Sequence, residues 1–229
     1  IWVSLRLGRE MPSGLYNGTV TITGNLSNGA NFTQVVQLDI RALQTQLPPL
    51  AESNLGSAWS GNWKKSAYVP YYGKSYDWES HKSHWYDMMF DHRIPPDSIY
   101  SSTPRTVAEY SFMAERGARD FALLDVTHLN MSEARVRRAN GECANYSDAY
   151  VTLMIDTLAP VVKELKAAGI LHLAYIYGFD ENPRTCEDQI RKLFGAAKKA
   201  FPGLRTAAAL NWSPMPVDIP VDIWVLQYE

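Results

Sequence analysis

The sequence lacks the features that would place it in a membrane or on a nucleic acid. No apolar run reaches the roughly 18–20 residues of a membrane-spanning helix. Its 22 Lys and Arg against 24 Asp and Glu leave a net charge of -2, which provides no basic surface for nucleic acid or an anionic membrane. No GxGxxG, GxxxxGKS or GxxxxGKT motif follows a predicted strand, which argues against nucleotide binding.

Cysteine is also scarce, since Cys143 and Cys186 are the only two. The sequence has neither a CxxC motif nor a cluster of His and Cys, so no structural zinc site is predicted. An even number of cysteines permits one disulfide. Both fall in loops that follow neighbouring predicted strands, so we expect a Cys143–Cys186 disulfide at the rim of the predicted catalytic domain.

Asparagine, in contrast, is concentrated in glycosylation sequons. Six of the 11 asparagines are followed by x-Ser or x-Thr without an intervening proline: Asn17, Asn25, Asn31, Asn130, Asn145 and Asn211. At random about one asparagine in eight would qualify. The excess favours a secreted glycoprotein, or one in the lumen of the secretory pathway or lysosome, with glycans at the first five sites. The alternative is that turns are rich in Asn, Ser and Thr.

Residues 1–46 are predicted to be antiparallel β structure. Period-2 patterns occur at Ile1–Leu7, Thr19–Thr23 and Thr33–Ile40, and Gly/Asn turns separate them. Three strands are too few for a closed sandwich, so we expect a partial β-sandwich whose other strands lie outside this chain. Because the chain also begins and ends inside strand-like segments, we expect it to be a fragment of a longer protein.

Residues 47–229, after the stiff Leu47-Pro-Pro-Leu50 boundary, alternate between strand and helix patterns. Alternation of this kind predicts a parallel sheet. Helices are expected over 76–91, from the N-cap Thr103 to about 116, from Ser147 or Asp148 to Gly169, and from 184 to about 200. Strands are expected at 120–127, 171–179, 205–211 and 221–227, with weaker candidates at 57–60 and 98–101. About six β units predict an incomplete (β/α)8 barrel, and a doubly wound open sheet is the alternative.

Polar and aromatic residues follow the predicted strands, where a (β/α)8 barrel would form its active site. Asp125 and His128 come after one strand and Asp180 and Glu181 after the next. Asn211 with Trp212, and Gln227 with Tyr228, follow the remaining two. Each pair could contact a sugar, although loops in any barrel are polar.

Asp180 and Glu181 are the most informative pair. Successive side chains of a strand point to opposite faces, so the strand must bend or end near Phe179 if both carboxylates face one pocket. Gly178 has no side chain, so it would allow such a bend at little cost in free energy. Apolar surroundings from Phe179 and Tyr177 would then raise the pKa of Glu181, so that it could donate a proton while Asp180 stays ionised. This is the division of roles that glycoside cleavage requires. The alternative is that the acids stabilise the N-terminus of the following helix.

These features together resemble glycoside hydrolase family 123 and its DUF4091 relatives. The resemblance rests on Gly14-Leu-Tyr-Asn-Gly-Thr-Val-Thr21, on His92-Arg93-Ile94-Pro95 and, most specifically, on the strand that ends Tyr177-Gly-Phe-Asp-Glu181. It covers nearly the whole chain and implies that about two β units and most of the sandwich are missing.

The family implies an exo-acting, retaining β-N-acetylgalactosaminidase in which the substrate's own 2-acetamido oxygen attacks the anomeric carbon. Asp180 would orient the acetamido N–H, and Glu181 would be the general acid and then the general base. The substrate would be an N-acetylhexosamine-terminated glycan or glycolipid, and no metal or cofactor is needed. The other predicted substrate contacts are Trp59, His92, Arg93, Asp125, Tyr177, Asn211, Trp212, Gln227 and Tyr228.

Three other functions stay open from the sequence. The enzyme could cleave a β-N-acetylglucosaminide or a sugar without an acetamido group. The barrel could also bind glycans without cleaving them, a function against which the intact Asp180 and Glu181 argue. A purely structural ectodomain is the weakest of the three, because the bend that carries the two acids would then have no purpose.

Overall fold

The structure is a computed structural model that describes most of the chain. Described are residues 10–45, 50–52, 77–129, 143–214 and 218–225, together with 5, 7, 8, 48, 135, 136 and 216. The chain divides into two compact units, Ile1–Pro48 and Pro49–Glu229.

The first unit is built on a long β-hairpin. Strands β1 (Gly14–Asn25) and β2 (Asn31–Ala42) pair antiparallel, with Gly14 opposite Ala42 and Asn25 opposite Asn31. Their alternating Thr, Val and Ile residues suit a pleated strand, and Gly29 supplies the positive φ of 80° that the turn between them requires. The predicted partial β-sandwich is wrong for the described residues, in which this unit contains a single two-stranded sheet. Most of the predicted strand at 1–7 lies outside the described residues.

The second unit opens with two helices, α1 (Trp78–Asp91) and α2 (Val107–Glu115). The N-cap of α2 is Thr106 and not Thr103, because Thr106 and Glu109 form a reciprocal capping box that satisfies two backbone N–H groups. Gly117, at φ 86°, ends the helix as predicted.

Strands and helices then alternate along the chain. The strands are β3 (Phe121–Asp125), the short antiparallel pair β4 (Arg135–Val136) and β5 (Asn145–Tyr146), β6 (Ala174–Tyr177), β7 (Arg205–Ala209) and β8 (Ile223–Val225). Helix α3 (Asp148–Ala167) begins at the N-cap Ser147 and continues through Pro160, and α4 (Glu187–Ala200) follows β6. None of the described helices is both long and apolar enough to cross a membrane.

The parallel sheet has four strands in the order β3-β6-β7-β8. The predicted (β/α)8 barrel is therefore wrong for the described residues, which contain an open sheet with β3 and β8 at its edges. Four strands in sequential order do not close on themselves, and closure of this architecture takes eight. The predicted strand at 98–101 is a turn, and the one at 57–60 lies outside the described residues.

Helices cover one face of this sheet. Their buried side chains form one core with sheet residues such as Phe121, Leu123 and Ile176. The opposite face carries a smaller cluster of Ala122, Tyr175, Tyr177, Ala207 and Ala209. Tyr177 belongs to this second face and is the last residue of β6, and only Gly178 and Phe179 separate it from Asp180.

The predicted disulfide is confirmed. Cys143 and Cys186 are bonded, with 5.0 Å between their Cα atoms. The bond joins the segment before β5 to the residue before α4, and Cys186 is fully buried. A disulfide of this kind is typical of extracellular proteins.

Candidate active site

Strands β3 and β6 approach each other closely at their carboxyl ends. The N–H of Val126 donates to the Tyr177 carbonyl at 2.8 Å, and a Cβ on Gly178 would lie 2.9 Å from Val126 Cγ2 and 3.1 Å from Thr127 Cγ2. Gly178 is not among the residues with positive φ. Glycine is therefore required here by close packing and not by the bend for which the sequence predicted it.

The bend itself lies at Phe179, whose φ is 59°. A positive φ is rare for a bulky residue and is stable only when the surroundings impose it. The ring of Phe179 is buried and packs edge-on against Phe194 and Tyr146, with centroids 5.5 Å and 5.9 Å away. These contacts hold the backbone in a conformation that ends β6 and turns the next residues outward.

Asp180 is exposed and is held by two tyrosines. The hydroxyl of Tyr100 donates to its Oδ2 at 2.5 Å, and the Tyr100 ring packs edge-on against Tyr177 with centroids 5.9 Å apart. The hydrogen bond to Asp180 is the main cause that raises the pKa of Tyr100 to about 12. Burial, followed by the charge of Asp180 and a hydrogen bond with it, also raises the pKa of Tyr177. Both phenols therefore stay protonated at neutral pH.

Glu181 differs from its neighbour. Its backbone has a positive φ of 52°, and its N–H donates to the Ala209 carbonyl at 2.8 Å, which ties the loop to β7. Its side chain is exposed, and among the described residues its carboxylate has no hydrogen-bond partner or ion pair. Phe179 points into the core instead, so it does not supply the apolar surroundings that the sequence predicted for Glu181.

The end of β3 lies beside this loop. Asp125 is opposite Tyr177 in the sheet and is fully buried, where it contacts Thr127 and His128. The sequence predicted Asp125 as a sugar contact, but the exposed group at this position is the imidazole of His128.

Trp212 follows β7 and contacts the acidic loop. Its Nε1–H donates to the Asn182 carbonyl at 2.8 Å, so the half-buried indole lies next to the residues that follow Glu181. Asn211 is exposed at the same end of the sheet.

Two further predicted contacts, His92 and Arg93, come directly after helix α1. His92 follows α1, and its Nδ1 is 2.8 Å from the Met88 carbonyl oxygen, which attaches it to that helix; Arg93 adopts φ 62°. Trp59, Gln227 and Tyr228 lie outside the described residues. Sequence reasoning missed Tyr100, because no motif or spacing connects it to a carboxylate 80 residues away.

In parallel α/β sheets, ligands bind outside the carboxyl ends of the strands, and this is where Asp180 and Glu181 lie. No known family model matches the chain, and no curated protein does either. Among solved structures, the chain is similar to a family 123 glycoside hydrolase from Clostridium perfringens, which was studied for glycolipid glycan hydrolysis. The sequences are 13% identical and the TM-score is 0.55. The similarity covers 95% of this chain but 45% of the other, so this chain spans less than half the length of that hydrolase.

Proposed function

We propose that this chain carries the acidic pair of a glycoside hydrolase that removes terminal β-linked N-acetylgalactosamine with retention of configuration. The observation that carries the proposal is the arrangement of two adjacent carboxylates at the carboxyl edge of a parallel sheet. Asp180 accepts a hydrogen bond from Tyr100, whereas the Glu181 carboxylate has no hydrogen-bond partner or ion pair within the part of the chain that the structure describes. The similarity in fold to a family 123 glycoside hydrolase supports glycosidase chemistry.

Asp180 is suited to orienting the substrate's acetamido group. Tyr100 donates to Oδ2, and the exposed carboxylate keeps lone pairs that can accept a hydrogen bond from the acetamido N–H. A carboxylate fixed in this way also stabilises the positive charge that develops when the acetamido oxygen attacks the anomeric carbon. Asp180 therefore needs to stay in one position, and the hydrogen bond from the Tyr100 hydroxyl favours this.

Glu181 is suited to moving protons. Its exposed carboxyl group protonates the glycosidic oxygen as the bond from that oxygen to the anomeric carbon breaks. The alcohol leaves and a bicyclic oxazolinium ion remains. The Glu181 carboxylate then removes a proton from water, which attacks the anomeric carbon and restores the acetamido group. Two inversions at this carbon give net retention.

Adjacent carboxylates fit this mechanism better than one with an enzyme nucleophile. A retaining pair of the latter kind places its carboxyl groups about 5–5.5 Å apart, on opposite sides of the scissile bond. Asp180 and Glu181 are neighbours on one short turn, and Asp180 already accepts a hydrogen bond from Tyr100. They are therefore better placed for one to bind the acetamido group and the other to protonate the leaving oxygen. N-acetylgalactosamine as the sugar rests on the resemblance to family 123.

The test is hydrolysis of 4-nitrophenyl β-glycosides by the full chain. Wild type should cleave the 2-acetamido-2-deoxygalactoside, and Asp180→Asn and Glu181→Gln should each lower kcat/KM by about 100-fold or more. Asp188→Asn is the matched control, since Asp188 is an exposed carboxylate in the first turn of α4. It should retain wild-type activity.

Two further substrates decide the mechanism. Replacing the acetamido group by trifluoroacetamido should slow the reaction, because fluorine makes the carbonyl oxygen a poorer nucleophile. Cleavage of the plain galactoside at the same rate would contradict substrate assistance, and a preference for the glucosamine epimer would change the assigned sugar. Binding of glycans without any hydrolysis would indicate a binding protein instead.

A further inference from the structure

A buried carboxylate and an exposed imidazole form a pair at the end of β3. Asp125 Oδ2 lies 2.6 Å from His128 Nδ1. The Asp125 side chain is 1% exposed, whereas that of His128 is 49% exposed. The pair therefore has one end fixed in the protein and one end directed to solvent.

The carboxylate of Asp125 is held firmly. Its Oδ1 accepts hydrogen bonds from the Thr127 N–H at 2.8 Å and the Thr127 hydroxyl at 2.6 Å, and the Asp125 N–H donates to the Ser101 carbonyl at 2.7 Å. The Thr127 hydroxyl donates its proton to Asp125, so towards His128 Nδ1, which lies 3.2 Å away, its oxygen can act only as an acceptor. Each polar atom of Asp125 thus has a partner that fixes its position.

This arrangement determines which imidazole nitrogen carries the proton. An ionised carboxylate can only accept, so His128 Nδ1 must be the donor. In the neutral ring, Nε2 then has a lone pair and no proton. His128 therefore presents a hydrogen-bond acceptor from its exposed side.

The pair lies at the same edge of the sheet as the acidic loop. Asp125 is opposite Tyr177 across the β3–β6 pairing, and Tyr177 interacts with Asp180. The charge of Asp125 also reaches both tyrosines of the site. This charge raises the pKa of Tyr100, but less than Asp180 does. It also raises the pKa of Tyr177, but less than burial does.

We propose that His128 is a sugar-positioning residue whose Nε2 accepts a hydrogen bond from one ring hydroxyl of the substrate, with Asp125 fixing its orientation and tautomer. The inference rests on the proposed function, since a glycoside bound to Asp180 and Glu181 would place its hydroxyl groups at this edge. A sugar offers several O–H donors, and a fixed acceptor selects one by position.

The first test combines protein and substrate changes. The 3-, 4- and 6-deoxy derivatives of the 4-nitrophenyl substrate are compared with the parent in wild type and in His128→Ala. Wild type should process one deoxy derivative about tenfold more slowly, and His128→Ala should process the parent equally slowly with no further loss for that derivative. His172→Ala, an exposed histidine before β6, is the control and should keep all wild-type ratios. Identical deoxy penalties in wild type and His128→Ala would overturn the proposal.

A second test does not depend on turnover. Long-range 15N NMR of histidine-labelled protein should show His128 with its proton on Nδ1, and Asp125→Asn should shift the tautomer towards Nε2–H. A wild-type His128 with its proton on Nε2 would overturn the proposal.

Binding of N-acetylgalactosamine and its deoxy analogues, followed by NMR titration, separates the two proposals. Selective binding that depends on His128, without hydrolysis, would overturn the proposed enzyme activity and keep the role of His128. Hydrolysis whose deoxy penalties do not depend on His128 would keep the proposed enzyme activity and overturn the role of His128. A protein that neither binds nor hydrolyses these sugars would overturn both proposals.

Discussion

The hydroxyl of Tyr100 donates a 2.5 Å hydrogen bond to Oδ2 of Asp180, across 80 residues of sequence. This bond is the main reason that the pKa of Tyr100 rises to about 12. Asp180→Asn should therefore lower the pKa of Tyr100 towards 10, because the amide neither carries the negative charge nor favours the protonated phenol as strongly. NMR of ring-labelled tyrosine as a function of pH measures this value, and Tyr100→Phe assigns the resonance.

Glu181→Gln is the matched control for that titration. The charge of Glu181 raises the pKa of Tyr100 less than Asp180 does, so Glu181→Gln should change that pKa less than Asp180→Asn does. An unchanged Tyr100 titration in Asp180→Asn would show that the hydrogen bond does not persist in solution.

Gly178→Ala should destabilise the protein by about 1–3 kcal/mol. The added Cβ would lie 2.9 Å from Val126 Cγ2, and it would separate the ends of β3 and β6 or shift the acidic loop. Gly195→Ala is a matched control within α4. Nothing lies within 4 Å of its added Cβ, so the higher helix propensity of alanine should stabilise the protein by up to about 1 kcal/mol. Urea unfolding of both variants measures the difference, and equal effects would contradict the packing argument.

Asp97 should make stability depend on pH in a mildly acidic window. It is buried, and burial raises its pKa from 3.8 to about 6 even though it accepts hydrogen bonds from the Ala122 N–H at 2.8 Å and the Tyr175 hydroxyl at 3.0 Å. Between about pH 4 and pH 6 the folded state binds more protons at this site than the unfolded state. The free energy of unfolding should therefore fall as pH rises, by about 2–3 kcal/mol in total.

Asp97→Asn should remove that contribution, because the amide has no titrating proton but can still accept the Ala122 hydrogen bond. Asp156→Asn, at an exposed position on α3, serves as the control and should leave the pH dependence as in wild type. Urea unfolding at pH 4, 5, 6 and 7 measures the slope. A wild-type slope that survives in Asp97→Asn would assign it to other groups.

The three sequon asparagines of the hairpin lie on one face. Asn17 and Asn25 are eight residues apart on β1, and Asn25 is directly opposite Asn31 on β2, so all three share a side of the sheet. All three side chains are exposed. The opposite face carries the less exposed Tyr16, Val20 and Ile22. We therefore predict that glycans on this unit would be confined to the polar face.

Secretion from a eukaryotic host followed by peptide mass spectrometry checks the prediction. Glycans should be found at Asn17, Asn25 and Asn31, and Thr19→Ala should remove the one at Asn17 while leaving the asparagine in place. Asn28, which lies in the turn without a sequon, is the internal control and should stay unmodified. Unmodified Asn17 in the secreted wild type would contradict the prediction.

The sequence alone determined the order and type of most elements, because these follow from local rules. The apolar pattern of 120–127 predicts β3, and Ser147 and Gly169 bound α3 as a cap and a stop. Capping was less well predicted for α2. There the Thr103-Pro104 signal competed with Thr106, whose partner Glu109 completes a capping box. The adjacency of Asp180 and Glu181 and the two cysteines of the disulfide were also visible in the sequence.

Only the tertiary structure decided whether the strands close into a barrel and which residues surround Asp180 and Glu181. Alternating strands and helices predict a parallel sheet but not whether it closes, and the described strands form an open sheet. The partner of Asp180, the close approach at Gly178 and the left-handed Phe179 all depend on contacts between residues far apart in the chain. Local periodicity carries no information about such contacts, because they arise only when separate strands and loops pack together.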